Sequence, residues 1–367
     1  MVAATDFQLE NDNYSPKSPD SYWAIGDRNL DPNSPCFIIA EAGVNHNGNL
    51  EMAEQLIDAA VEAGADAIKF QTFSADRLVT RRAPKAAYQE RATDAQETQH
   101  AMLKQLELSH TDHERLFAHC KARGITFLST PFDHESADLL LELGVSAIKV
   151  GSGELTNLPF LQHIAQYNRA IILSTGMAYL GEVEEAVRCI QDHTRAPLIL
   201  LHCVSNYPAC EDDVNLRAML TMHQAFNLPV GYSDHTLGMA VPIAAVALGA
   251  CVIEKHFTLD RSLPGPDHAA SLEGDGLQAM IQAIRVVEAA LGDGVKRPAA
   301  SELDTARVAR KSVVSQVDIP AGTTITAQMV AIKRPGTGIL PRDLPRVMGR
   351  AARVTIPADT VIDWEMI

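Results

Sequence analysis

The sequence predicts a (β/α)8 TIM barrel followed by a small, mostly β domain, and three observations carry that expectation. Eight short, nearly continuous apolar runs alternate with helical patterns between Cys36 and Gly294, as parallel strands covered on both faces do. That stretch has about 260 residues, the size of one such barrel. Near 292–302 (GDGVKRPAASE) the alternation breaks into a Gly/Pro/Lys linker, and short β-like pieces punctuated by PAG, PGTG and PAD follow. An open doubly wound sheet is the structural alternative, but no Gly-rich dinucleotide turn follows the first strand.

In chain order, residues 1–22 are rich in Asn, Asp, Ser and Pro, have little to bury and read as a flexible leader. The barrel domain is expected over 23–294. Its strands are FIIAEA (37–42), AIKFQTF (67–73), TFLSTPF (126–132), AIKVGSG (147–153), AIILSTG (170–176), LILLHCV (198–204), PVGYSDH (229–235) and VIEKHF (252–257). Helical patterns such as MAEQLIDAAVEAG, SADLLLELG, EVEEAVRCIQ and VPIAAVALGA fill the intervals, and GLQAMIQAIRVVEAALG follows the last strand. A linker over 295–305 leads to a domain over 306–367, with SVVSQVDI, TTITAQMV and AARVTI as its β pieces.

Of the 367 residues, 46% are hydrophobic and 21% charged, which excludes a disordered or fibrous chain. A net charge of −15 argues against nucleic-acid binding, which wants a basic face. It does not exclude a small anionic substrate, because exposed charges are screened beyond about 8 Å at physiological salt. The longest apolar run, 241–253, contains Pro242 and Gly249 and falls short of the about 20 residues a bilayer demands. The first residues lack a basic start and an apolar stretch, and the six cysteines show no CxxC or framework spacing. A reducing cytoplasm fits both observations.

A barrel of this kind builds its site at the C-terminal ends of its strands, and all eight carry polar residues there. The first delivers Glu41, Asn45 and His46; the second Lys69 and Gln71; the third Ser129 and Thr130; the fourth Lys149, Ser152 and Glu154. The fifth gives Ser174 and Thr175, the sixth His202, Ser205 and Tyr207, the seventh Ser233, Asp234 and His235, the eighth Glu254, Lys255 and His256. One strand-end serine or lysine is more often structural than functional. Eight strands out of eight point to an enzyme.

Sorted by chemistry, Lys69 and Lys149 with Ser152, Ser174, Ser205 and Ser233 form a phosphate or carboxylate cradle, lysine acting as a point charge. His235 and His256, on neighbouring strands, are placed to share one divalent ion, with Glu41 and water completing an open site. Hydrogen-bonded packing is the plainer reading of the two histidines. Two imidazoles, hard oxygen donors and no suitable thiolate favour Mn2+ or Mg2+ over structural zinc. Cys203 reads as core and His46 as a residue behind the site. Asp234 reads either as a third carboxylate ligand or as the orienter of a neighbour.

The strings AEAGVNHNG (40–48), IKFQTF (68–73), STPFD (129–133), KVGSGE (149–154), ILSTGM (172–177), GYSDHT (231–236), EKHFT (254–258) and PGPDH (264–268) together resemble the sialic acid synthase family. KRPGTG (333–338) is similar to the signature of that family's C-terminal antifreeze-like (SAF) domain, and the likeness covers roughly 24–367. The resemblance implies that phosphoenolpyruvate is held by Lys69, Lys149, Ser152, Ser174 and Ser233. Ser205 stands where bacterial N-acetylneuraminate synthases often carry Asn, and Asn206 is its alternative. The resemblance further implies Glu41 as base and a divalent metal on His235 and His256: Mn2+, with Mg2+ or Co2+ as alternatives. It has an acylated amino sugar met by Glu154, Tyr207 and Asp267. It also implies a domain-exchanged homodimer in which Arg334 reaches the sugar bound by the partner; on its own, Arg334 reads as an exposed turn residue.

The implied reaction joins phosphoenolpyruvate to the open-chain form of an N-acylated mannosamine, giving a nonulosonic acid and phosphate. N-acetylmannosamine would yield N-acetylneuraminate. The alternative acceptor, 2,4-diacetamido-2,4,6-trideoxymannose, would yield N,N'-diacetyllegionaminate, and segments 71–89 and 99–108 resemble both branches. Two rivals stand further off. A Schiff-base pyruvate aldolase would use Lys149 or Lys255 but wants apolar surroundings for its lysine. A non-enzymatic sugar- or ice-binding protein would use the C-terminal domain alone and would leave the polar strand ends unexplained.

Overall fold

The computed structural model describes residues 23–31, 34–94 and 96–367; the leader expected over 1–22 lies outside the described residues. Two compact units divide between Gly292 and Asp293. In the first, strands β1 (Phe37–Gly43), β2 (Ala67–Thr72), β3 (Thr126–Pro131), β4 (Ala147–Val150), β5 (Ala170–Ser174), β6 (Leu198–Cys203), β7 (Val230–Asp234) and β8 (Val252–His256) form one sheet. Its order is β3-β2-β1-β8-β7-β6-β5-β4, every paired neighbour is parallel, and β3 and β4 lie side by side where the ring closes. Pairing of β8 with β1, from Val252 opposite Phe37 to His256 opposite Glu41, makes this a barrel rather than an open sheet. The eight apolar runs are these eight strands. The run AIKVGSG stops early at Val150, where Ser152–Glu154 bends into a 3-10 turn.

Outside the strands lie helices α1 (Leu50–Ala63), α2 (His110–Arg123), α3 (His134–Leu143), α4 (Leu158–Ala165), α5 (Leu180–His193), α6 (Arg217–Phe226), α7 (Ala240–Ala247) and α8 (Gly274–Leu291). Local chemistry fixes their ends. Asn49, Ser109 and Asp133 accept backbone N–H groups at the starts of α1, α2 and α3, and left-handed Gly64, Gly124 and Gly144 close the same helices. No helix of the described residues is long and apolar enough to cross a membrane.

Strand residues alternate between two cores, as a pleat of period two requires. Ile38, Phe70, Ile148, Leu173, Leu200 and Ile253 face the helices, while Phe37, Ile39, Leu128, Ile172, Ile199, Leu201 and Val252 fill the barrel interior. Between β2 and α2 the chain leaves the barrel for an excursion over 73–109. It carries short helices at Ala75–Leu78, Ala87–Ala92 and Gln99–Leu106, packed on a separate small core of Val44, Phe73, Met102, Leu103 and Leu106.

The second unit is less regular than its sequence suggests. Strands β9 (Ser312–Ser315) and β10 (Val330–Lys333) pair antiparallel, while AARVTI contributes only isolated bridges, Ala351 to Thr324 and Ile356 to Ile319. A helix at Leu303–Ala309 begins inside the segment read as a linker. The unit folds around Val313, Ile319, Ile325, Val347, Ile356 and Ile362.

Candidate active site

One pleat above the apolar interior, the inward positions turn ionic. Register sets Glu41 opposite both Lys69 and His256, and Glu254 opposite Ser233. The Lys69 ammonium lies 2.6 Å from Glu41 Oε2 and 3.8 Å from Glu254 Oε2, and donates to Thr130 Oγ1 at 2.9 Å. Lys149 lies 3.7 Å from Glu254 Oε1 and donates to Ser174 Oγ at 2.7 Å, while Ser233 Oγ donates to Glu254 Oε1 at 2.8 Å. Each of the four charged residues is 5% exposed or less. Charges this deep are tolerated only in mutual contact. Glu254 is the hub of the network, a role the sequence hints at only through its spacing two residues before His256 on one strand.

The environments push these groups apart. Burial drives the Glu41 carboxyl up and Lys69 pulls it back only part way, leaving it at about 7. Burial also acts on Glu254, but Lys149 and Lys69 outweigh it and hold that carboxyl below its usual range. Burial depresses both lysines; Glu254 and Glu41 reverse this at Lys69, whose pKa ends raised, whereas that of Lys149 stays lowered. The set therefore holds a firm carboxylate, a firm ammonium and one carboxyl poised near neutrality, the distribution that proton transfer at pH 7 wants.

Beside the lysines lies a ring of hydroxyls. Ser152 Oγ accepts from the Gly176 N–H at 3.0 Å and sits 3.2 Å from Cys203 Sγ. A Cβ on Gly176 would come within 2.3 Å of Ser205 Oγ, 2.9 Å of Ser152 Oγ and 3.0 Å of Cys203 Sγ, so these side chains close tightly round the Gly176 backbone. Ser205 is thus inside the ring and Asn206 is exposed, which favours the serine of the two expected phosphate donors. Burial pushes the Cys203 thiol up, in keeping with a core role.

The rings of His235 and His256 lie 5.5 Å apart, with Tyr207 tilted against His235 at 4.1 Å and edge-on to His256 at 5.6 Å. His235 Nδ1 is 2.6 Å from the Val204 carbonyl, which can only accept, so Nδ1 carries the proton and Nε2 keeps its lone pair. Burial lowers the pKa of both rings, that of His256 far below its ordinary value, and His256 Nδ1 is buried without a hydrogen-bond partner. Two neutral imidazoles, one fixed by a carbonyl and one with an orphaned nitrogen, fit a divalent ion. Among the described residues no three His, Cys, Asp or Glu side chains are spaced to hold one. Glu41, whose position in sequence suggests a third ligand, is paired in this structure with Lys69. Asp234 turns out to be an orienter: its Oδ1 accepts from the Thr236 N–H and hydroxyl, and its Oδ2 lies 2.6 Å from Lys255. His46 is wholly buried behind the site, its Nδ1 accepting from the Gly48 N–H at 3.0 Å, and burial lowers its pKa to about 4.

At the outer end, burial lifts the Asp267 carboxyl to about 6 against the pull of Lys69, and no hydrogen bond from the described residues reaches it. Glu154 sits at the edge, accepting from Asn157 Nδ2 at 2.6 Å. Tyr88, from the excursion helix Ala87–Ala92, lies tilted against Tyr207 at 4.9 Å. Tyr88 lies within the segment 71–89 that resembles both branches, but nothing in that segment marks it out, and its contact with Tyr207 reveals it. Arg334 belongs to the second unit, is exposed, and donates through Nε to the Ala309 carbonyl at 3.1 Å.

Known proteins resemble the chain along most of its length. The NeuB family matches residues 56–296 and the SAF domain residues 310–367. The N,N'-diacetyllegionaminic acid synthase of Legionella pneumophila is 48% identical over 336 residues, covering 90% of this chain and 94% of that protein. The protein of the same name from Campylobacter jejuni is 49% identical over 328 residues, covering 89% and 98%. The crystal structure of N-acetylneuraminic acid (sialic acid) synthetase from Leptospira borgpetersenii, in complex with citrate, matches with a TM-score of 0.69 at 36% identity, covering 77% of this chain and 94% of that one. The chain belongs to the NeuB family: it is an enzyme of the synthase type, a TIM barrel with a SAF domain at its C-terminal end.

Proposed function

We propose that the enzyme condenses phosphoenolpyruvate with the open-chain form of 2,4-diacetamido-2,4,6-trideoxymannose to give N,N'-diacetyllegionaminate and phosphate. The observation that carries this choice of acceptor is the 48–49% identity to two diacetyllegionaminic acid synthases, against 36% to the sialic acid synthetase. The sialate reading, placed first on the strings alone, yields to its alternative.

In this proposal Lys69, Lys149, Ser152, Ser174, Ser205 and Ser233 hold the phosphate and carboxylate of phosphoenolpyruvate. Its carbon 3 bonds to the acceptor's aldehyde carbon, water adds at carbon 2, and the C–O bond to phosphate breaks. Glu41, poised at about 7, takes the water's proton, while the Lys69 ammonium offsets charge on the departing phosphate. Glu154, Tyr207 and Asp267 orient the sugar. A divalent ion on His235 and His256, Mn2+ in this reading, would supply Lewis-acid polarisation of the aldehyde oxygen. A cytoplasmic homodimer, with Arg334 of one protomer serving the sugar in the other's barrel, belongs to the same proposal.

Phosphate release measured with the two acceptor sugars side by side tests it. Preference for N-acetylmannosamine would return the enzyme to the sialate branch. Dialysis against chelator should abolish turnover and Mn2+ should restore it; full activity of the stripped protein would remove the histidines from the chemistry. The aldolase rival loses Lys255, which is locked to Asp234 and the Thr236 carbonyl. A borohydride-trapped pyruvate adduct on Lys149 would revive it.

A further inference from the structure

We propose that Tyr88 is a specificity-determining residue, its ring and that of Tyr207 forming one aromatic wall against the apolar substituents of the acceptor sugar. This rests on the reading of the site as a nonulosonic acid synthase and deepens its acceptor end.

The wall begins at His235. Tyr207 lies tilted against that ring at 4.1 Å with 37° between planes, and Tyr88 continues the row, tilted against Tyr207 at 4.9 Å and 32°. Three rings from three separate connections thus form one continuous row, two phenol rings leading away from the His235 imidazole. Asp267 lies close enough to both phenols to raise their pKa after burial has done so, and its backbone carbonyl accepts from Ser271 Oγ while no hydrogen bond from the described residues reaches its carboxyl. The wall therefore adjoins one carboxylate still free to accept. That surface suits a sugar carrying methyl groups, from an acetamide or a 6-deoxy carbon, beside a single hydroxyl or amide N–H. A hydroxyl set against the rings would lose water and gain no partner.

Tyr88 is positioned by a purpose-built scaffold. Three residues before it, the Lys85 side chain is almost wholly buried: its ammonium donates to Thr93 Oγ1 at 2.8 Å and to the Asp94 carbonyl, and lies 3.3 Å from Glu97. Gln89, the next residue, accepts through Oε1 from the Ala86 N–H at 3.0 Å and from Gln99 Nε2 at 3.2 Å. These bonds tie the helix bearing Tyr88 to the helix that carries Met102, Leu103 and Leu106 into the excursion's own core. Such bracing gives the ring a fixed place, as discrimination between sugars requires.

The test measures phosphate release at saturating phosphoenolpyruvate for wild type, Tyr88→Ala, Tyr88→Leu and Tyr88→Phe, each with 2,4-diacetamido-2,4,6-trideoxymannose and with N-acetylmannosamine. Tyr88→Ala should shift the ratio of kcat/KM between the two sugars by about tenfold or more, mainly through the sugar's KM, while Tyr88→Phe stays within about threefold of wild type. The KM for phosphoenolpyruvate should not move. An unchanged ratio in Tyr88→Ala, or equal loss on both sugars, overturns the proposal. Should Tyr88→Ala fail to fold, Tyr88→Leu is judged by the same ratio. A wild-type preference for N-acetylmannosamine would sink the acceptor reading instead, and the wall would still stand or fall on the shift in ratio.

Discussion

The interior and the rim of this barrel are made by the same strands one pleat apart, yet they are held by opposite physics. Along β8 the inward residue passes from Val252 to Glu254, along β1 from Ile39 to Glu41, and along β5 from Ile172 to Ser174. In the interior, every contact is van der Waals and space is the constraint. Gly231 shows how tight it is, because a Cβ there would meet the Val252 carbonyl at 2.4 Å and Leu201 Cδ2 at 2.7 Å. At the rim, each group leans on an opposite charge or a hydroxyl, and removing one leaves the other stranded. Folding and chemistry thus occupy adjacent layers, and turnover should be lost mainly at the rim and stability mainly in the interior.

The largest separation is expected at the lysines. Lys69→Ala or Lys149→Ala should cut kcat by about two to three orders of magnitude, the usual loss when one preorganised group that offsets charge in the transition state is removed. Circular dichroism should still show a folded barrel; wild-type turnover in both variants would break the comparison. Glu41→Gln should slow turnover by about 10²-fold or more while both substrates still bind. As base, Glu41 must be ionised, so wild-type kcat/KM should rise with pH through about 7 and then level off. The variant should lack that rise. In the opposite layer, Leu201→Ala should cost about 2–5 kcal/mol of stability by leaving a cavity. Its kcat at a permissive temperature should match wild type, and a collapse in kcat without loss of stability would blur the two layers. The smallest effect concerns His46. Folding lowers its pKa to about 4, whereas the unfolded chain binds that proton near 6.5. The His46 contribution to stability should therefore be level above pH 6.5 and fall below it, by up to about 1.4 kcal/mol per pH unit. In His46→Asn, which keeps an acceptor for the Gly48 N–H, denaturant titrations at several pH values should lose that part of the slope.

How much was legible follows from the same contrast. Strands covered on both faces are apolar throughout, so Ile38 to Ala40 or Ile171 to Leu173 announce themselves, and a polar residue at their ends is conspicuous. The lysines, the histidines and Glu41 were readable for that reason. Which partner Glu41 takes was not: one strand gives no register, and only the pairing of β1 with β2 hands it to Lys69. The excursion over 73–109 was opaque because its helices are short and pack on one another, so no long amphipathic stripe marks them. Tyr88 hides there. In the second unit, AARVTI looks like a strand, but it pairs through single bridges whose partners sit far away in sequence.

The ion pair between Lys255 and Asp234 has a reach beyond its own strands. Each member directly precedes one of the two imidazoles, the register sets them face to face, and both are sealed among helices on the outer side of the sheet. The spacing of His235 and His256 is thus inherited from a clamp on the far side of the wall. An engineer wishing to retune that gap would do better to alter the clamp than the rings, leaving every group that faces the substrates untouched.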